Sequence, residues 1–176
     1  MAILKIARMG NPILRQRSQA VEVSAIPSAQ IQTLIDGLIE TMRDYDGAGL
    51  AAPQVHVGLR IVVFEVINNP RYPDAPEIPL TVAINPQIEP LTESTFGMWE
   101  GCLSVPEIRG YVERSASIKF SALDRQGKPF SQKLDGFPAV VVQHECDHLD
   151  GKLFIDRVRD TTKLAFLKEY QKFHVE

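Results

Sequence analysis

Gly136-Phe137-Pro138-Ala139-Val140-Val141-Val142-Gln143-His144-Glu145-Cys146-Asp147-His148 is the stretch on which the reading of this chain turns. The valine run taken alone favours a strand, because β-branched side chains suit a pleated surface. The histidines argue the other way. In a strand His144 and His148 would point in one direction but stand ~13 Å apart, too far for one ion. In a helix they lie a turn apart on one face, their Cβ atoms ~5–6 Å from each other. Phe137, Val141, His144 and His148 fall on a single stripe at helical spacing, with Val140 beside them. Asp135 is the expected cap, Pro138 suits a first turn where its missing N–H costs nothing, and Gly151 is placed to stop the helix. A helix carrying His-Glu-x-x-His is therefore expected. Its imidazoles can share one ion, and Glu145, ~100° round from His144, can take a proton from a metal-bound water.

A catalytic ion of this kind has three protein ligands and one open position. A third histidine six residues beyond His148 would complete one known pattern, but Phe154 stands there. Two routes remain. Glu169 lies in a segment with Lys163, Lys168 and Lys172 that reads more simply as a solvated helix face. Cys102, in Trp99-Glu100-Gly101-Cys102-Leu103-Ser104, is a soft ligand beside a glycine that lets backbone approach an ion. Cys102 is favoured. Cys146, ~200° from His144, points away from the ligand stripe and is expected to pack. Asp147 is expected either to be solvated or to pair with an arginine such as Arg109 or Arg114, and His56 and His174 to be surface residues.

Working outward, Ile31, Leu34, Ile35, Leu38, Met42 and Tyr45 recur at helical spacing from Ser28 to Tyr45, after Pro27. Leu59 to Ile67 reads as a buried strand and Thr81 to Asn85 as a shorter one. Asn68 to Pro79 holds four prolines and reads as an irregular loop. Ser117 to Leu123 alternates polar and apolar residues. It turns at Asp124 to Lys128 and returns as Phe130 to Leu134, a hairpin. Thr161 to Phe173 carries Leu164, Phe166, Leu167, Tyr170 and Phe173, which suggests a terminal amphipathic helix. Strands in the middle with helices at both ends give an α+β fold.

The 176 residues suit one domain, 1–176, and 44% hydrophobic with 23% charged residues is an ordinary globular balance. A net charge of −3 offers no electrostatic reason for direct nucleic-acid binding. No apolar run approaches the ~20 residues of a membrane span, and the start lacks the apolar core of a signal peptide. A cytoplasmic protein with reduced thiols is expected.

Gly47-Ala48-Gly49-Leu50-Ala51-Ala52-Pro53-Gln54 adds a segment whose small residues let backbone lie close to a strand or a ligand. No Lys-Ser/Thr pair follows, so it is not a phosphate loop. Gln54 offers an amide to a developing oxyanion if the fold brings it to the metal.

These three segments, in this order, resemble the peptide deformylase family: G-x-G-x-A-A-x-Q at Gly47 to Gln54, E-G-C-L-S at Glu100 to Ser104, and Q-H-E-x-D-H at Gln143 to His148. Met9-Gly10-Asn11-Pro12-Ile13-Leu14 is similar to the family's opening, so the likeness spans most of the chain. The resemblance implies mainly antiparallel strands packed around a central His-Glu-x-x-His helix, with a further N-terminal and a C-terminal helix. It implies that Cys102, His144 and His148 hold one divalent ion, iron(II) in the cell, with zinc, nickel or cobalt substituting. Glu145 would be general base and then acid for attack by metal-bound hydroxide, with Gln54 and the Leu103 N–H stabilising the oxyanion. The substrate would be the N-formyl-methionine of new polypeptides, met near the ribosome exit, and formate the product. An unbranched methionine needs an apolar slot, expected from Phe137, Val140 and Val141 with Ala48 at the rim. Gly49 would offer main-chain hydrogen bonds to an extended peptide.

Overall fold

The computed structural model describes residues 3–70 and 75–175. The run from Leu59 forms β2 (Ile61–Val66) between the short β1 (Gly49–Ala51) and the long β3 (Ile78–Pro90). β6 (Ser117–Leu123) and β7 (Pro129–Asp135) complete a five-stranded antiparallel sheet in the order β1-β2-β3-β6-β7. Successive strand residues face opposite sides. Val62, Phe64 and Val66 therefore enter one apolar cluster, while Ile61 and Val63 enter another. That is why the β2 sequence is apolar almost throughout: both faces of the sheet are covered.

One cover is α1 (Ala29–Asp44), which packs Ile35, Leu38 and Met42 against β1 and β2. The Ser28 side chain caps it, accepting from the Ile31 N–H. The opposite cover is α2 (Phe137–Leu149), with Ala139, Val142, Cys146 and Leu149 on the Val62–Phe64–Phe120 side. β4 (Thr95–Cys102) and β5 (Val105–Ser115) form a hairpin that builds a second, three-stranded sheet with β8 (Leu164–Phe166), and β5 also touches α2. The helix thus lies between two sheets.

Three expectations change. Asp135 does not cap α2. It ends β7 with its carboxylate 3.2 Å from Lys133 Nζ, and Gly136, at φ +60°, takes the cap position. The strand expected at 81–85 runs from Ile78 to Pro90, so it absorbs the end of the proline-rich loop; residues 71–74 of that loop lie outside the described part. Asn85, at φ +53°, sits where the register of β3 shifts, and its side chain exchanges two 2.8 Å hydrogen bonds with the Val21 backbone. The terminal helix is shorter than its apolar pattern suggests. Leu164 to Phe166 pair with Gly110 to Ile108 as β8, and only Leu167–Phe173 is helical (α3). Gly110 leaves room for Leu164 there, and pairing with β5 satisfies the backbone groups of 164–166 that face it. The expected stop at Gly151 holds: at φ +71° it turns the chain so that the Lys152 N–H bonds Asp147 O at 2.9 Å and the Gly151 N–H bonds His148 O at 3.3 Å.

Candidate metal centre

His144 and His148 project from the buried side of α2, their ring centroids 5.1 Å apart. The end of β4 delivers Cys102 to the same place. One ligand atom from each of the three lies within 4.8 Å of the other two, and Cys102 Sγ is 3.3 Å from His148 Nε2. Tetrahedral ligands of one ion sit about 3.5 Å apart, so the three need to close only slightly. A thiolate and two imidazoles form a donor set suited to a soft or borderline divalent ion. Glu169, the competing third ligand, is exposed on α3 and is not in this group.

The surroundings prepare these ligands. His144 Nδ1 is 2.7 Å from Glu100 Oε2; a carboxylate accepts, so the proton sits on Nδ1 and Nε2 is left for an ion. Glu100 is gripped by Arg114 through Nε (2.6 Å) and Nη2 (3.0 Å). Arg114 Nη1 reaches Asp147 at 2.8 Å, and Asp147 also accepts from Arg157 at 2.6 and 3.0 Å. Charges alternate along this buried chain, so each carboxylate faces a cation. Asp147 is therefore structural, and of the two arginines considered Arg114 is its partner. Arg109 instead reaches the Ile108 carbonyl and lies over Gly101, where a Cβ would collide with it.

Burial pushes the Cys102 thiol up, but the charges and hydrogen bonds of His148 and His144 outweigh it and hold the group well below its ordinary range. Burial likewise pushes His144 down, and Cys102 and Glu100 overcome it to hold the ring well above its ordinary value. The sulfur is poised as a thiolate, the form that binds metal. Glu145 is raised, chiefly by burial, with the imidazoles pulling back. Its Oε2 and His148 Nδ1 are buried without a hydrogen-bond partner among the described residues. A carboxyl so placed is unfavourable as a structural element, which suits a group that exchanges protons. A Cβ on Gly49 would lie 2.5 Å from Glu145 Oε1, so the glycine is what lets strand and carboxylate meet.

Gln54 is buried in the turn after β1. Its Oε1 accepts from the Ala51 N–H at 2.8 Å, which directs Nε2 at Cys102 Sγ (3.4 Å) and Ser104 Oγ (3.2 Å). Ala48, Gly49, Leu103, Phe137, Val140 and Val141 line one cleft together with Gln54, Cys102, His144 and Glu145. Of the residues expected to hold metal, bind substrate or catalyse, all but the buried His148 border this cleft. Gly101 borders it too, as do Met98 and Glu100, for which the sequence suggests no role. Glu100 was legible in principle, since two residues before Cys102 on a strand is the same face. Cys146 is buried on the core side, its thiol pushed up by desolvation. His56 and His174 are exposed, as expected.

The polypeptide deformylase sequence profile matches residues 3–164. The chain belongs to the peptide deformylase family. The peptide deformylase of Leptospira biflexa is 47% identical over 94% of this chain and 93% of its own. Peptide deformylase 1 of Prochlorococcus marinus is 48% identical over 97% and 88%. The Met-Ala-Ser-bound class I type b peptide deformylase of Acinetobacter baumannii superposes with a TM-score of 0.86 at 40% identity, covering 89% of this chain and 99% of that one. The chain is thus a metal-dependent hydrolase that removes the formyl group from the N-terminal formyl-methionine of new polypeptides. No helix of the described residues is long and apolar enough to cross a membrane.

Proposed function

We propose that Cys102, His144 and His148 hold a single divalent ion and that Glu145, Gln54 and the Leu103 N–H carry out deformylation around it, within one catalytic domain spanning 1–176. The observation that carries this reading is the convergence of one sulfur and two imidazoles beside a buried carboxylate with an unpartnered oxygen. An ion held there supplies Lewis acidity, lowering the pKa of a water from 15.7 towards ~7. The protein groups do the rest. Glu145, raised by burial, takes the proton of the attacking water and returns it to the departing amine. Gln54 Nε2, oriented by the Ala51 N–H, and the Leu103 N–H donate to the oxygen on which charge develops, each such donor being worth ~3–4 kcal/mol. The methionine side chain enters the slot of Phe137, Val140 and Val141, with Ala48 at the rim, and Gly49 bonds the peptide backbone.

Iron(II) is the proposed native ion, with zinc, nickel or cobalt able to replace it, because thiolate plus imidazole accepts all four. Enzyme loaded with iron is expected to lose activity in air while nickel-loaded enzyme keeps it; equal decay would argue against a ferrous centre. A substrate met as it leaves the ribosome favours work near the exit, in the cytoplasm. The main test is formate release from formyl-Met-Ala-Ser. Glu145→Ala should abolish release with metal content intact, whereas Cys102→Ala should lose the metal. Retained metal in Cys102→Ala would overturn the ligand set.

A further inference from the structure

A second cavity, about 520 Å³, lies across Leu103 from the metal cleft, and Leu103 lines both. Its polar side chains are those of Lys5, Arg8, Asn11, Tyr45 and His56. Lys5 and Arg8 are exposed there, and among the described residues neither side chain makes a hydrogen bond or ion pair. Asn11 Oδ1 accepts from the Ile13 N–H at 3.2 Å, which turns its Nδ2 to His56 Nδ1 at 3.4 Å. His56 Nδ1 then acts as acceptor, so its proton is on Nε2 and that nitrogen is a donor. Tyr45 adds a hydroxyl. No carboxylate lines the cavity; Asp44 and Asp46 flank Tyr45 in sequence but are not part of the wall. In a chain of net charge −3, two cations without an ion-pair partner among the described residues, in a wall free of carboxylates, give a local excess of positive charge.

We infer that this cavity selects substrates, receiving a carboxylate carried by the second or third residue of the formyl peptide. The inference rests on the reading that the peptide runs extended beside Gly49 to Gly47. Gly49 abuts Glu145, where the formyl end must be. Gly47 abuts Leu103, whose Cδ1 is 3.4 Å from the position of a Gly47 Cβ. A peptide leaving the metal in that direction at ~3.3 Å per residue brings its second and third residues over Leu103, the wall shared with the cationic cavity. A glutamate side chain there reaches Lys5 and Arg8, and a lysine meets like charge.

The test uses C-terminally amidated peptides, formyl-Met-Glu-Ala and formyl-Met-Ala-Glu, each against its lysine counterpart, on the metal-loaded enzyme. At low salt one position should favour glutamate by about five-fold in kcat/KM, residing in KM, the size expected of exposed charge pairs. The ratio should fall towards one in 0.5 M NaCl, where the Debye length is only a few ångströms. In the Lys5→Glu/Arg8→Glu double variant it should fall to one or invert. Because each ratio is taken within one enzyme, a general loss of activity does not disturb it. Equal turnover of all four peptides by the native enzyme, or a glutamate preference that survives in the double variant, overturns the subsite while leaving deformylation intact. No turnover of any peptide overturns the catalytic reading and the subsite with it.

Discussion

The two long helices cover the same sheet from opposite sides and are built on different principles. α1 buries apolar side chains and turns Gln30, Thr33, Arg43 and Asp44 to water, the usual division for a helix lying on a surface. α2 is buried nearly all round and carries His144, Glu145, Asp147 and His148 inside. α1 is held chiefly by burial, with a side-chain cap and partly exposed polar contacts in addition. α2 must also keep four ionisable groups out of water, which is tolerable only because Glu100, Arg114 and Arg157 answer two of them and the two histidines stand where the proposed ion would be held. Glu145 is left unanswered. The price of function is thus concentrated on one helix, and the other supplies stability without chemistry.

The contrast breaks most visibly at Arg114. Replacing it with methionine leaves Glu100 and Asp147 buried with fewer partners, and removing one member of such a pair costs about 3–5 kcal/mol. Urea unfolding of Arg114→Met should show a loss of that order together with weaker metal retention, since Glu100, the partner of His144, loses its clamp. A loss under 1 kcal/mol would mean that water replaces the arginine and that α2 is no more demanding than α1.

A smaller effect should follow from acid. Burial raises the Asp147 carboxyl, yet Arg157 and Arg114 more than offset it and hold it below its ordinary range. Glu100 is likewise lowered, by His144 and Arg114 against burial. A group lowered in the folded state stabilises above its unfolded value and loses that contribution as pH falls through the folded one. With unfolded carboxylates near ~4, stability should be flat from neutrality to about pH 5 and decline below about pH 4. Asp147→Asn should lower stability at neutral pH and flatten that acid limb. An unchanged limb would place the acid sensitivity outside this network.

The smallest effect belongs to α1. Ser28→Ala removes a side-chain cap at 3.4 Å from the Ile31 N–H and should cost about 1 kcal/mol, with deformylase activity unchanged. A loss of activity there would show that the two covers are coupled through the sheet.

How much was legible from residues alone follows the range of each interaction. Helix α1, the β6–β7 hairpin and the spacing of His144 and His148 are local matters, decided by periods of 3.6 and 2 within a few residues, and they could be read directly. The β4–β5 hairpin went unread because its interior is glycine, tryptophan and charge rather than clean alternation. Thr161 to Phe173 was misread as one helix because Leu164 and Phe166 fit either period, and only the free edge of β5 selects the strand. Asp135 looked like a cap because cap preference is statistical, whereas the bend at Gly136 depends on how β7 enters the helix.

By itself, then, the chain determined which chemistry was available: a two-histidine helix with a flanking glutamate, a cysteine after a glycine, a glutamine after small residues. Local spacing suffices for that because helix and strand geometry repeats regardless of surroundings. Only the tertiary structure decided that Cys102 rather than Glu169 meets the imidazoles and that Glu100 and Arg114 fix the His144 tautomer. It alone set a cavity lined by Lys5 and Arg8 and free of carboxylates across Leu103. Those partners are separated by tens of residues along the chain, and what joins them is the packing of two sheets around one buried helix, which no short window of sequence contains.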